Sequence, residues 1–172
     1  MSPQPTLHQD IERLAHQERV LRFDRFDQAC AWDLGTRIKA LSEARGAALT
    51  IEVRLAKETV FFYAMPGTGP GNADWARRKR NTVDLQQSSS YAVGRALERD
   101  GTTLEHKLGL PLRDYASHGG SFPIRVNGVG CIGTVTVSGI PQREDHGVVV
   151  EALAAMCGVP LADVVLARLG QP

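Results

Sequence analysis

Leu7, Ile11 and Leu14 recur at intervals of three or four residues, so one apolar face forms and a first helix is predicted over residues 7–17. Val20, Leu21 and Phe23 follow without helical spacing and read as a short strand. A second helix is marked by the stripe Cys30, Leu34, Ile38 and Leu41, with Gly46 placed to end it. Trp32 falls off that stripe, and it either covers the edge of the core or packs against another subunit. Beyond it the period switches to that of a strand. Leu49, Ile51, Val53 and Leu55 share one face, and Thr50, Glu52 and Arg54 the other. Lys57 and Glu58 stand where the chain must reverse, and residues 60–65 supply the returning strand of a hairpin. The Gly- and Pro-rich stretch at 66–71 breaks the pattern, leaving Asn72 to cap the next helix and Asp74 in its first turn, near the positive end.

In the second half, Phe122, Ile124 and Val126 alternate up to Asn127-Gly128, a dipeptide suited to tight hairpins. The return strand places Val129, Cys131, Val135 and Val137 on one face and Gly130, Ile132, Thr134 and Thr136 on the other. Gly130 and Gly133 lack side chains, which leaves room for a helix, a ligand or another chain. Pro123 has no N–H to donate, so its strand belongs at a sheet edge or begins near one. Helical spacing returns through Val149, Leu153 and Met156, with a last short helix over 161–169. The order is roughly helix, strand, helix, hairpin, helices, hairpin, helix. It predicts an α+β fold, with helices over one mainly antiparallel sheet of about five strands. One domain spans 1–172, with an N-terminal helical extension at 1–19 and a short C-terminal helix within 157–172.

Composition narrows the partners. The chain has 172 residues, enough for one core, and its 42% apolar and 23% charged residues are those of an ordinary globule. Four cations, Arg77, Arg78, Lys79 and Arg80, stand side by side; removing them from the 20 Lys and Arg leaves 16 against 19 Asp and Glu. The remainder is net acidic, so a phosphate-backbone footprint, and with it a nucleic-acid partner, is excluded. No secretory signal opens the chain and no apolar run reaches membrane-spanning length, which points to a cytoplasmic protein without a membrane partner. The three cysteines, Cys30, Cys131 and Cys157, are widely spaced and read as reduced thiols.

On a helix Trp75, Arg78, Lys79 and Thr82 share one side, whereas Arg77, Arg80 and Asp84 lie on another, so the four charges cannot converge on one ligand. Two of them, with Asn81 or Asn72, suit an anion held by a guanidinium fork; the alternative is a solvated or subunit-facing surface with Asp74 and Asp84 as partners. Ser88, Ser89 and Ser90 read as a helix cap or break, because the G-x-S-x-G turn of a serine nucleophile is missing. The five histidines form no metal or haem-attachment motif. A capping box from Thr102 to Glu105 puts His106 at the surface. His118, ahead of Gly119 and Gly120, and His146, beside Glu144 and Asp145, stand where flexible backbone meets polar groups. Each suits either a ligand site or a structural role, and Asp145 with His146 is also open as an acid–base pair. Gly128, Gly130 and Gly133 match G-x-G-x-x-G, but inside a hairpin rather than at a strand-to-helix turn, which excludes a dinucleotide site.

Taken together, "FYAMPGTGPGN", "NADWARRKRNTV", "SSSYAVG" and "DYASHGGSFPIRVNGVGCIGTVTVSGIPQREDHGVVVEAL" resemble an uncharacterised protein family within the haem-degrading, HbpS-like and GlcG-like domain superfamily. The likeness runs from about Leu21 to Leu153. It implies a profilin-like sheet with helices on both faces and assembly into dimers or larger rings. The shared segment "HGGSFPIRVNGVGCIGTVTVSG" implies a ligand pocket at His118, Gly119, Gly120 and Gly133, while "WARRKRNTV" marks the branch. From this comes the expectation of a cytoplasmic homo-oligomer binding a small anionic ligand, haem or another tetrapyrrole. Arg78 or Lys79 would meet a carboxylate and His118 or His146 the metal or polar centre. A non-catalytic assembly or adaptor protein, using the cation helix and Trp75 for contacts, is the alternative.

Overall fold

Thr6 opens the described chain as a helix cap: its hydroxyl accepts from Gln9 N (3.2 Å) and the Gln9 amide oxygen accepts from Thr6 N (2.9 Å). The structure, a computed structural model, describes residues 6–169, so residues 1–5 and 170–172 of the two predicted terminal segments lie outside it. The elements in order are α1 (Leu7–Val20), α2 (Gln28–Ala44), β1 (Thr50–Leu55), β2 (Glu58–Ala64), α3 (Pro70–Gln86), α4 (Ser90–Arg99), α5 (Leu104–Leu108), β3 (Ser121–Val126), β4 (Gly130–Ser138), α6 (Gln142–Cys157) and α7 (Leu161–Val164).

The sheet has four strands in the order β2-β1-β4-β3, and every neighbouring pair is antiparallel. Among the described residues the fifth strand is not formed. Leu21 and Phe23 are both buried in the core, but only Phe23 hydrogen-bonds to the sheet, as an isolated parallel bridge to Val126 made through Phe23 N to Arg125 O and Asn127 N to Phe23 O. The chain turns into the Asp27 cap of α2 before a ladder can extend. Pro123 lies on β3, which is an edge strand, so its missing donor costs no ladder bond.

Ile51, Val53, Val135, Val137, Phe122 and Ile124 face a core shared with Ala31, Leu34 and Ile38 of α2 and Val148, Val149 and Leu153 of α6. Burying each large aliphatic side chain contributes about 1.5–3 kcal/mol. Gly35 sits mid-helix because the Phe61 ring lies against it, 2.4 Å from where a Cβ would stand. The opposite sheet face is polar yet also buried: Thr50, Glu52, Thr134, Thr136 and Ser121 lie under α3. Helices thus cover both faces.

Two local details depart from the strict alternation. The β1–β2 turn is formed by Ala56 and Lys57, with φ of 48° and 68°, one residue earlier than Lys57-Glu58. In β4 the pairing slips between Ile124↔Gly133 and Arg125↔Cys131, leaving Ile132 as the extra residue. The bulge exchanges faces beyond Gly133. Ile132 packs on the main core, while Cys131 has Arg125, Asp84 and Glu18 as charged neighbours, the reverse of the predicted facing.

Candidate functional site

Helix α3 begins at Pro70 after Gly69, not at Asn72; Asn72 occupies the third helical position and its Oδ1 accepts from Gly69 N at 3.0 Å. Its inward side carries Ala76, Lys79, Thr82 and Val83, all buried. Lys79 is therefore a core position filled by an ammonium, and a buried ammonium needs partners. It finds Asp145 Oδ2 at 2.8 Å and Val137 O at 3.2 Å. Asp145 stands in the first turn of α6, where its Oδ1 accepts from Ile140 N at 3.2 Å. Both residues are nearly inaccessible, at 3% and 1% exposure. Burial pushes the Lys79 ammonium below and the Asp145 carboxyl above their ordinary values, with their mutual attraction opposing both shifts.

Beside this pair lies a cavity of about 250 Å³, lined by Asn72, Trp75, Lys79, His118, Gln142 and Asp145, with the 138–140 segment completing its wall. His118 is exposed at the mouth and meets the edge of Trp75, with ring centroids 5.0 Å apart. Partial burial, then the Lys79 and Arg78 charges, lower the His118 pKa, so its imidazole is neutral at pH 7 and keeps a free lone pair. The Arg78 guanidinium stacks 3.9 Å over the Trp75 ring and is held by Asp74 at 3.1 Å.

Two glycines make the close approach possible. A Cβ on Gly119 would meet Gln142 O at 2.3 Å, while Gly119 N donates to Gln142 Oε1 at 3.1 Å. Gly120 has φ of 134°, and a Cβ there would lie 2.5 Å from Val137 O and 2.9 Å from Lys79 Nζ. Gly119 and Gly120 thus lock the 118–120 loop onto α3, β4 and α6.

The structure brings Lys79, His118, Gly120 and Asp145 together, with Arg78 and Gly119 at the margin. Three candidates lie elsewhere. Gly133 is approached by the neighbouring strand, since a Cβ there would meet Arg54 O at 1.9 Å. The Asn81 amide donates to Asp114 O at 2.8 Å and braces the 111–115 segment. His146 is fully buried between Tyr91 and Phe122, with Nε2 on Gln17 Oε1 at 2.8 Å. It forms no pair with Asp145, because successive helical positions point about 100° apart.

The cation run is resolved inside the molecule. Arg77 pairs with Asp74 and Asp114 at 3.0 Å, and Arg80 grips both Glu52 oxygens at 2.7 and 3.0 Å. Arg77 and Arg80, which helical spacing groups together, therefore serve different neighbours. Asn72, Trp75 and Gln142 complete the cavity; in the sequence Asn72 stands as an alternative to Asn81 beside an anion and Trp75 as an aromatic in line with Lys79, whereas Gln142 carries no signal.

Residues 26–154 match the family described as haem degrading protein HbpS-like. The chain belongs to that family. A protein named UPF0303 from Azotobacter vinelandii is 55% identical over 163 residues, covering 95% of this chain and 98% of the relative. A second UPF0303 protein, from Serratia proteamaculans, is 48% identical and covers 88% and 94% of the two chains. Among solved structures, the Ybr137w protein superposes with a TM-score of 0.79 at 27% identity, over 86% of this chain and 87% of that one. A PduOC:heme complex shares the fold, with a TM-score of 0.62 at 17% identity over 73% and 90%. The HbpS-like architecture thus carries four strands here, with the cavity where α3, the 118–120 loop and the start of α6 meet. No described helix is long and apolar enough to cross a membrane.

Proposed function

We propose that this HbpS-like chain binds a small anionic ligand at the Trp75–His118 cavity, with haem or a related tetrapyrrole as the first candidate. The observation that carries the reading is the donor set at the mouth. A neutral imidazole, an aromatic wall and the stacked Arg78 guanidinium stand side by side. They match an iron centre, an apolar ring and a carboxylate. About 250 Å³ lies below the range of roughly 300–1,000 Å³ of drug-sized pockets, so the enclosed space takes one edge of a macrocycle, the rest crossing the open mouth. His118 would hold the iron and Arg78 a carboxylate, and haem when bound supplies the redox chemistry. The family description and the heme complex of a structural relative support the same candidate. The three free thiols support a cytoplasmic setting.

Haemin titration followed by Soret absorbance tests this, with His118→Ala, Arg78→Ala and, as a surface control, His106→Ala. Saturable one-to-one binding weakened by the first two and unchanged by the third is expected. Non-saturating binding equal in all four proteins would overturn it.

The second reading, a homo-oligomeric assembly protein without turnover, is favoured by another observation. Trp32 and Phe62 are 66% and 51% exposed and border a groove of about 580 Å³ between α2 and the edge strand β2. Charge reversal at Arg77 or Arg80 would not test it, since both serve internal carboxylates.

A further inference from the structure

The chain has four lysines, Lys39, Lys57, Lys79 and Lys107, and Lys79 is the buried one. Its amine is not sealed in apolar packing. Lys79 and Asp145 both line the cavity, and Gly120, with no side chain, lets its backbone pack close to Nζ where a Cβ would stand 2.9 Å away. Its carboxylate partner lies within proton-transfer distance, at 2.8 Å. A purely structural ion pair does not need both of its members on the wall of a cavity.

We propose that the cavity captures a small aldehyde or ketone as an imine on Lys79 Nζ, with Asp145 as the proton acceptor and donor. Asp145 Oδ2 takes one proton from the ammonium, and the freed amine pair bonds to the carbonyl carbon while the C=O π pair moves to oxygen. A proton passes from that nitrogen to the oxygen, giving a carbinolamine. Asp145 returns its proton to the hydroxyl, which leaves as water, and the nitrogen lone pair closes the C=N bond. The product iminium faces the Asp145 carboxylate where the ammonium stood. The step needs no oxidant or reductant. Burial supports the first transfer, because it lowers the proton affinity of Lys79 and raises that of Asp145.

The lining narrows the substrate class. A volume of about 250 Å³ admits a short chain, and the Asn72 and Gln142 side chains offer amides to a hydroxyl or carboxylate on it. Trp75 supplies a flat wall. A short hydroxy- or carboxy-substituted carbonyl compound fits. This inference rests on the reading of the cavity as a ligand site, but on its floor rather than on the His118 mouth.

The test incubates the full chain with glycolaldehyde and cyanoborohydride, which reduces any imine to a stable secondary amine, and maps the modified lysines by mass spectrometry. Lys79 is expected to be labelled saturably, at a glycolaldehyde concentration roughly tenfold below that needed for Lys39, Lys57 and Lys107, because the cavity positions the carbonyl. Lys79→Arg, which keeps a cation for Asp145, should remove the low-concentration labelling and leave the other sites unchanged. Labelling confined to the three solvent-accessible lysines, with Lys79 unmodified, would overturn the proposal. Haemin titration of the same preparation separates the two readings. Lys79 labelling without haemin binding leaves the imine and removes the tetrapyrrole, and haemin binding without Lys79 labelling does the reverse.

Discussion

Acidification from pH 7 to pH 5 should destabilise the protein through one side chain, His146. Gln17 donates its amide to Val164 O at 2.7 Å, so its Oε1 is an acceptor and the His146 Nε2 facing it must carry the hydrogen. The tautomer leaves Nδ1 as a bare lone pair, buried and without a partner. A proton added there would be an unsatisfied cation in an interior bounded by Tyr91 and Phe122, with Arg143 adding repulsion and Asp10 offsetting part of it. Burial, the largest cause, pushes the pKa down from 6.5 to about 3. Since the folded pKa is depressed, the unfolded chain binds the proton first. Stability is complete above pH 6.5 and is lost as pH falls toward 3. At pH 5 the gap to the unfolded value is about 1.5 units, at about 1.4 kcal/mol per unit, so about 2 kcal/mol should be lost. Urea unfolding of wild type and His146→Gln at both pH values measures it, because carboxylates common to the two proteins cancel in the comparison. Wild type should lose about 2 kcal/mol more than the variant on going to pH 5. Equal losses would refute the buried neutral histidine and the Gln17 orientation that fixes it.

Three further outcomes follow from the same geometry. Lys79→Met strands the Asp145 carboxylate and should cost about 3 kcal/mol in denaturant unfolding, whereas Lys79→Met with Asp145→Leu should recover more than half of that; additive losses would contradict a coupled pair. Gly120→Ala combines a φ of 134° with a Cβ contact of 2.5 Å to Val137 O, and should lower stability by about 2 kcal/mol in a thermal melt, an unchanged melting temperature being the contrary result. If the groove at Trp32 and Phe62 is a subunit contact, as the second reading has it, Trp32→Ser with Phe62→Ser should shift sedimentation velocity to a smaller species while leaving the melt within about 1 kcal/mol of wild type. An unchanged sedimentation profile would remove that groove as the subunit contact.

The elements were legible where a period repeats over several turns or residues. The Cys30–Leu41 stripe lies within α2, and the alternation from Leu49 to Leu55 sorts β1 between the apolar and polar faces as found. What the period missed depends on partners remote in sequence. Val20 to Phe23 has strand composition but meets β3 only at Phe23, so no local property of the segment separates a strand from a single bridge. The bulge at Ile132 needs the register of β3 to define it, and it reverses the faces of Cys131 and Ile132. The helix starts shifted because capping has several solutions. Asn72 caps from inside α3, and Thr103 rather than Thr102 caps α5.

The site shows the same division with more at stake. Asp145 and His146 are adjacent in sequence and suggested a pair, yet the helix turns one toward α3 and the other toward Gln17 of α1. Lys79 and Asp145 are separated by 66 positions and share a hydrogen bond. One signal for Lys79 was nevertheless present. Ala76, Lys79 and Val83 are spaced by three and four residues, with Thr82 between, so the lysine occupies a stripe that otherwise reads as the buried side of α3. A cation at such a position requires a carboxylate brought by tertiary structure. Arg77, Arg78 and Arg80 flank it on sides that reach a loop, an indole and a strand. The run of four cations therefore serves distinct surroundings, with Asp74 shared by Arg77 and Arg78, Glu52 taken by Arg80 and Asp145 by Lys79. The one that lies on the apolar stripe is the one beside the cavity, and that coincidence of burial, pairing and an adjoining cavity is what the imine proposal rests on.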